Sequence, residues 1–220
     1  MLADAVTRLD DGDLYQPSRL PEWTRAHLIG HLARNAEALG RLAAWARSGV
    51  ETPMYASADQ RAAEIDAAVA LPPAQLRKEV FDTAADLEEA MDRLGPDTWP
   101  SVVRTAQGRV VPALELPWMR VREVWLHAVD LDAGVEIAEW PADLVDLLAA
   151  DVMDTLSTRK DCPGVEIQLR DRPGSWQLGR RHDVTVKGRA SDVLGWLSGR
   201  TSGKVLTPLK GGLPALPRWI

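Results

Sequence analysis

The stretch Trp118-Met-Arg-Val-Arg-Glu-Val-Trp-Leu-His-Ala-Val-Asp130 limits what this chain can fold into more than any other. At a helical period its apolar residues, Trp118, Met119, Val121, Val124, Trp125, Leu126, Ala128 and Val129, cover nearly the whole circumference. That pattern predicts a helix buried on most sides. One strip is polar: Arg120, Glu123, His127 and Asp130 follow at spacings of three, four and three, which stacks them in a row on one face. A carboxylate and an imidazole cannot be buried without partners. The row is therefore either a solvated stripe with an i,i+4 Glu–His pair, or the lining of an internal pocket.

A second stretch repeats the pattern. Thr24 is a good N-cap for a helix over 25–48, whose apolar stripe is Leu28, Leu32, Leu39 and Ala43. Beside that stripe run His27, His31 and Asn35. Three of the four histidines thus sit in two helical pairs, His27/His31 and Glu123/His127. Facing helices of a bundle can converge such pairs on one ion. Two imidazoles and one carboxylate are the ligand set of an open catalytic zinc site, with the fourth position left for water or substrate.

The length of 220 residues allows a sizeable core in one domain or two. No apolar run is long enough to span a bilayer, and the N-terminus has no basic segment leading into an apolar one, so a soluble, cytoplasmic protein is expected. The single cysteine, Cys162, excludes an intrachain disulfide and a cysteine-rich zinc site, and fits a reducing compartment. From Asp161 onward ten basic residues face five acidic ones, net +5, leaving −11 for residues 1–160. A basic cap on an acidic body suits an anionic small molecule, although solubility alone accounts for it too. The basic residues are not clustered with stacking aromatics, which argues against nucleic acid.

Along the chain, residues 1–10 read as the end of an amphipathic helix and 14–22 as a loop. A short helix holding Arg61 follows Ser57, and Pro72-Pro73 opens another that runs to about Leu94. Val102-Val-Arg and Arg109-Val-Val flank a hairpin turn at Gly108. Pro117 must bend the central helix or sit in its first turns. Pro141 starts a helix to about Thr158 with Leu144, Leu147, Leu148 and Val152 facing inward, and Asp161-Cys-Pro-Gly164 is a natural linker. Beyond it strands are expected at 165–169, 175–178 and 183–187, a helix capped by Ser191 through Leu197, and a last strand at Val205-Leu206. His182, among Arg180, Arg181 and Asp183, reads as part of a turn. The fold class is mainly α: a helical bundle over 1–160, then a small α+β domain over 161–220 with a short antiparallel sheet and a helix.

Trp23-Thr-Arg-Ala-His-Leu-Ile-Gly-His31, Glu51-Thr-Pro-Met-Tyr55, Thr105-Ala-Gln-Gly-Arg109, the Trp118–Asp130 stretch and the tail Leu216-Pro-Arg-Trp-Ile220 closely resemble the mycothiol-dependent maleylpyruvate isomerases. The likeness runs in order over most of the chain and is weakest over 134–182. It implies a DinB-like four-helix bundle joined to the small C-terminal domain. It also implies a zinc ion held by His31, Glu123 and His127, with His27 a neighbour or capping residue. Arg61 and Arg200 match pocket arginines. The chain begins well inside the usual first bundle helix, which is expected to be short, and Pro117 stands where the family has a more helix-friendly residue.

The implied reaction is cis-to-trans isomerisation of maleylpyruvate to fumarylpyruvate in gentisate degradation. Rotation requires the π bond to be interrupted, which reversible addition of a thiolate to the alkene achieves. Mycothiol would supply that thiolate, since Cys162 lies far in sequence from the metal motifs. Zinc would polarise the dicarbonyl or acidify the thiol. Arg61 and Arg200 would hold the two carboxylates through bidentate contacts. Asp130 would orient a ligand imidazole or be a solvated helix-end charge. The expected partners are a small anionic substrate and a low-molecular-weight thiol, with no nucleic acid and no membrane, and the chain is expected to be a monomer. The 21 Arg against five Lys fit a GC-rich actinobacterial genome. The alternatives are a metal-dependent mycothiol S-transferase for another electrophile and a non-enzymatic DinB-like binding protein.

Overall fold

A computed structural model describes residues 1–180 and 183–219. His182 and Ile220 lie outside the described residues. The chain divides into two compact units, Met1–Val135 and Glu136–Ile220.

The first unit holds α1 (Leu2–Arg8), α2 (Arg25–Ser48), α3 (Ala58–Val69), α4 (Pro73–Asp92), the strands β1 (Val102–Arg104) and β2 (Val110–Pro112), and α5 (Leu116–Asp130). α1 and α2 each pack against both α4 and α5, closing four helices into a bundle, and α3 lies along α2. The ends are set locally. His27 Nδ1 accepts from Thr24 N while Thr24 Oγ1 accepts from His27 N, a reciprocal capping box that starts α2. Gly49 ends the helix at φ 71°, a conformation that favours glycine. Ser57 caps α3 by accepting from Gln60 N. Pro117 stands in the first turn of α5, where a missing N–H costs nothing, so the phase of Glu123 is not disturbed. The short pair β1–β2 is antiparallel, Val103 opposite Val111, and both side chains are buried.

The other end of α5 is held by the loop before α2. Arg19 N donates to Asp130 O at 2.8 Å, and the Arg25 guanidinium donates to Leu131 O and Asp132 O at 2.8 and 3.0 Å. Carbonyls left open at a helix C-terminus are thereby satisfied. The predicted apolar stripe of α2 is fully buried. α5 differs from expectation: Val121, Val124 and Trp125 are only half-buried, while its polar residues Arg120, His127 and Asp130 are buried. Apolar coverage on the helical wheel does not decide which face of a helix turns inward.

The second unit holds α6 (Ala142–Ser157), β3 (Val165–Leu169), β4 (Ser175–Leu178), β5 (Val184–Gly188), α7 (Ala190–Leu197) and β6 (Thr207–Pro208). The expected boundary at 160 is not where the chain divides, because α6 packs on α7 and β4. The sheet is mixed rather than antiparallel, in the order β4-β3-β5-β6. β4 ends beside the start of β3, at Leu178 opposite Val165, and β5 begins at Val184 on the other side of that same residue, so β5 runs parallel to β3. The inward face of α6 is Val145, Leu148, Ala149, Val152, Met153 and Leu156, with Leu147 58% exposed. Ser191 does not cap α7; the helix starts after Arg189, and Asp171 Oδ1 accepts from Ala190 N. The last strand falls two residues later than expected.

Candidate metal centre

α2 and α5 bring the two polar rows face to face. His31 Nε2 lies 2.9 Å from Glu123 Oε2, and His127 Nε2 lies 3.2 Å from the same oxygen. One ligand atom from each of the three residues falls within 4.8 Å of the others. The two imidazoles meet edge to face, with centroids 5.0 Å apart. Their side chains are 7% and 9% exposed, whereas that of Glu123 is 25% exposed, so the cluster is walled by protein on the histidine side and reachable through the carboxylate. Trp23 packs edge-on against His31 at 5.5 Å and adds to the wall.

The helix spacing explains the meeting. Glu123 and His127 are one turn apart on α5, and their shared contact is the i,i+4 pair read from the sequence. His31 reaches them because Arg120, three residues before Glu123, donates to Leu32 O and Asn35 Oδ1, both at 2.9 Å. That clamp joins α5 to the residue next to His31. Arg120 is buried against neutral acceptors; burial pushes its pKa down to about 10, which leaves it charged at neutral pH.

Each titratable group responds to its surroundings. Burial would raise the Glu123 carboxyl, but hydrogen bonds from His127 and His31 hold it well below the usual range. Burial lowers His31, which keeps a lone pair available to a metal ion. For His127, burial also disfavours the charged form, yet Asp130 and Glu123 outweigh it and its pKa is raised. Asp130 is 1% exposed, and its Oδ2 lies 2.9 Å from His127 Nδ1. It therefore faces the imidazole rather than water. A carboxylate on Nδ1 turns Nε2 toward the cluster, the arrangement that supports metal-ligating histidines. Two imidazole nitrogens and one carboxylate oxygen converging with one side accessible fit a zinc ion with a position to spare.

Of the other residues marked in the sequence, Arg61 joins the cluster: its Nη2 donates to His31 Nδ1 at 3.2 Å. His27 is the capping residue of α2 and no part of the triad. Arg200 belongs to the second unit, where it donates to Ser198 O at 2.8 Å and lies 5.9 Å from the Trp219 ring. Cys162 is half-buried, with its thiol pushed up by burial and by Asp161. Two elements escaped the sequence reading. The pairing of Arg120 with Asn35 was foreshadowed only by their places in the two polar rows. Tyr55 had no signal beyond its place in the Pro-Met-Tyr loop. Its ring has the Arg41 and Arg61 guanidinium carbons 5.7 and 5.9 Å from its centre.

A helical bundle that brings a His–Glu–His cluster together inside, followed by a small α+β unit, is the class of protein that fold and site define. Residues 1–132 match the family model for the mycothiol maleylpyruvate isomerase N-terminal domain, and residues 139–218 match that for the C-terminal domain of the same family. The chain belongs to this family. It is similar to the crystal structure of a mycothiol-dependent maleylpyruvate isomerase and to that of a histidine-to-alanine mutant of the same enzyme. Each shows a TM-score of 0.92 and 35% identity, over 99% of this chain and 91% of the other. Comparison with curated proteins gives no match.

Proposed function

We propose that the protein is a zinc- and mycothiol-dependent cis–trans isomerase that converts maleylpyruvate to fumarylpyruvate in gentisate breakdown. The observation that carries this reading is the convergence of His31, Glu123 and His127 on one point in a member of this family. His31 Nε2, His127 Nε2 and Glu123 Oε2 would hold the ion, and zinc at such a site supplies Lewis acidity toward a carbonyl oxygen or a thiol. An external thiol supplies reversible addition to the conjugated alkene: one carbon–sulfur bond forms as the π bond breaks, and expulsion restores both thiol and alkene.

The chain's own residues set the stage for this chemistry. Asp130 fixes the orientation of His127 through Nδ1. Trp23 shields the His31 edge from water. Arg61, beside His31, offers a planar fork to one substrate carboxylate. Cys162 stays outside the chemistry, since burial disfavours its thiolate. Among the described residues no helix is long and apolar enough to cross a membrane. We place the enzyme in the cytoplasm as a monomer.

The test combines metal analysis with turnover. Purified protein is expected to hold about one zinc per chain, lost in His31→Ala and His127→Ala. Maleylpyruvate should be converted only when mycothiol is added, with the thiol concentration unchanged at the end. Protein that neither holds nor takes up a divalent metal, or equal rates without thiol, would sink the reading. Consumption of one thiol per turnover would mark a transferase instead.

A further inference from the structure

Tyr55 is the polar side chain near the triad to which the chemistry above gives no task. It sits on the loop between α2 and α3, and that loop is fixed from two sides. Arg41 of α2 donates through Nε and Nη2 to Met54 O at 2.8 and 2.5 Å, and Ala106 N of the β1–β2 turn donates to Met54 Sδ at 3.2 Å. Met54 itself is buried in the bundle core. The next residue is thereby presented with little freedom, its ring lying against the Arg41 and Arg61 guanidiniums.

The direction of its hydrogen bonding is fixed by chemistry. A guanidinium can only donate, so toward Arg61, whose guanidinium lies against the ring, the phenol can offer only its oxygen. Its own hydrogen remains for a ligand. The same Arg61 guanidinium that lies against the ring donates through Nη2 to His31 Nδ1 at 3.2 Å, which puts the phenol one side chain away from the candidate zinc ligands. Two guanidiniums, those of Arg41 and Arg61, lie against one phenol beside the candidate zinc ligands. Such a setting favours a ligand oxygen that carries or gains negative charge.

Resting on the isomerase reading, we propose that Tyr55 is a further catalytic residue. Its hydroxyl donates to the substrate ketone oxygen conjugated to the alkene, the atom that gains charge as the alkene is attacked. A single O–H matches a single oxygen, whereas the fork of Arg61 matches a carboxylate. The two side chains, already stacked against each other, thus hold neighbouring groups of one α,β-unsaturated keto acid. The proton stays on the phenol throughout.

The chain has only two tyrosines, Tyr15 and Tyr55, and Tyr15 is 53% exposed at the end of a short 3-10 helix before α2. Fluorotyrosine incorporation therefore gives two fluorine resonances, assigned with Tyr15→Phe. In the zinc-loaded protein, maleate, a cis-enedioate probe, is expected to move the Tyr55 resonance and leave that of Tyr15 in place. Tyr55→Phe keeps the ring and its packing. It should retain zinc and lose about a hundredfold in kcat, the usual scale for one oxyanion donor, with KM changed far less. A Tyr55 resonance that does not move, a wild-type kcat in Tyr55→Phe, or a raised KM with kcat intact overturns the proposal. A wild type that does not isomerise maleylpyruvate overturns the underlying reading instead, and the fluorine shift then still reports whether Tyr55 meets the anion.

Discussion

At the scale of single residues the centre is a contest between protons and a metal ion. His31 is lowered and neutral, so its single ring proton can pass from Nε2 to Nδ1 with no net release, Glu123 is ionised, and His127 is raised by Asp130 and Glu123. One proton, that on His127 Nε2, must therefore leave when the ion binds. A raised pKa means that the proton competes at higher pH than for an ordinary histidine. Apparent zinc affinity, measured by competition with a chelator, should fall about tenfold per pH unit below the raised His127 pKa and level off above it. A slope of two protons would contradict the assignment for His31. Asp130→Asn should weaken zinc binding about ten- to a hundredfold while leaving the fold intact by circular dichroism. Cys162→Ser should keep full activity, and the wild-type thiol should alkylate slowly at pH 7. Much of this was legible in the sequence, since the spacings three, four and three place Arg120, Glu123, His127 and Asp130 on one row. Whether Asp130 faces water or an imidazole was not legible: that depends on the loop from Arg19 to Arg25, which covers the end of α5.

At the scale of elements, what matters is how α2 is held against its neighbours. Arg120→Met would leave Leu32 O and Asn35 Oδ1 without their buried donor, a loss of about 2–3 kcal/mol. It would also free α2 to slide relative to α5. Zinc affinity should fall with stability, which calorimetry and metal titration on the same variant would check. On the other side of α2, a Cβ built at Gly30 would come within 2.9 Å of Ala68 Cβ on α3. Overpacking there costs about 1–3 kcal/mol, against a gain of up to about 1 kcal/mol in helix propensity. Gly30→Ala should thus be less stable by about 1 kcal/mol in a urea titration. Because α3 carries Arg61, the push should show as a higher KM for the substrate with zinc content unchanged. Helix ends were readable because Thr24, Ser57, Gly49 and Pro73 act within one turn of the chain. The close approach at Gly30 was not, since it depends on two helices meeting.

For the whole molecule, the missed features are the ones set by long-range pairing. Pro163 and Gly164 follow Asp161-Cys162 and look like a linker, yet the division falls at Val135, just after Gly134 with φ 79°. α6 has a helical pattern like those before it, and only its packing on β4 and α7 assigns it to the second unit. The parallel pairing of β3 with β5 is likewise invisible to alternation, which is the same in both orientations. A ligand that binds only the folded form stabilises it by mass action, about 4 kcal/mol at a thousandfold excess over Kd. Zinc should therefore raise the first unit's melting midpoint by about 10 °C, an effect absent in His127→Ala. All three zinc-binding candidates come from α2 and α5, while Tyr55 and Arg61 come from one short stretch, the α2–α3 loop and the first turn of α3. Substrate choice can therefore drift by exchanging that one stretch, like a replaceable bit in a fixed drill, while the ion's holder is inherited unchanged.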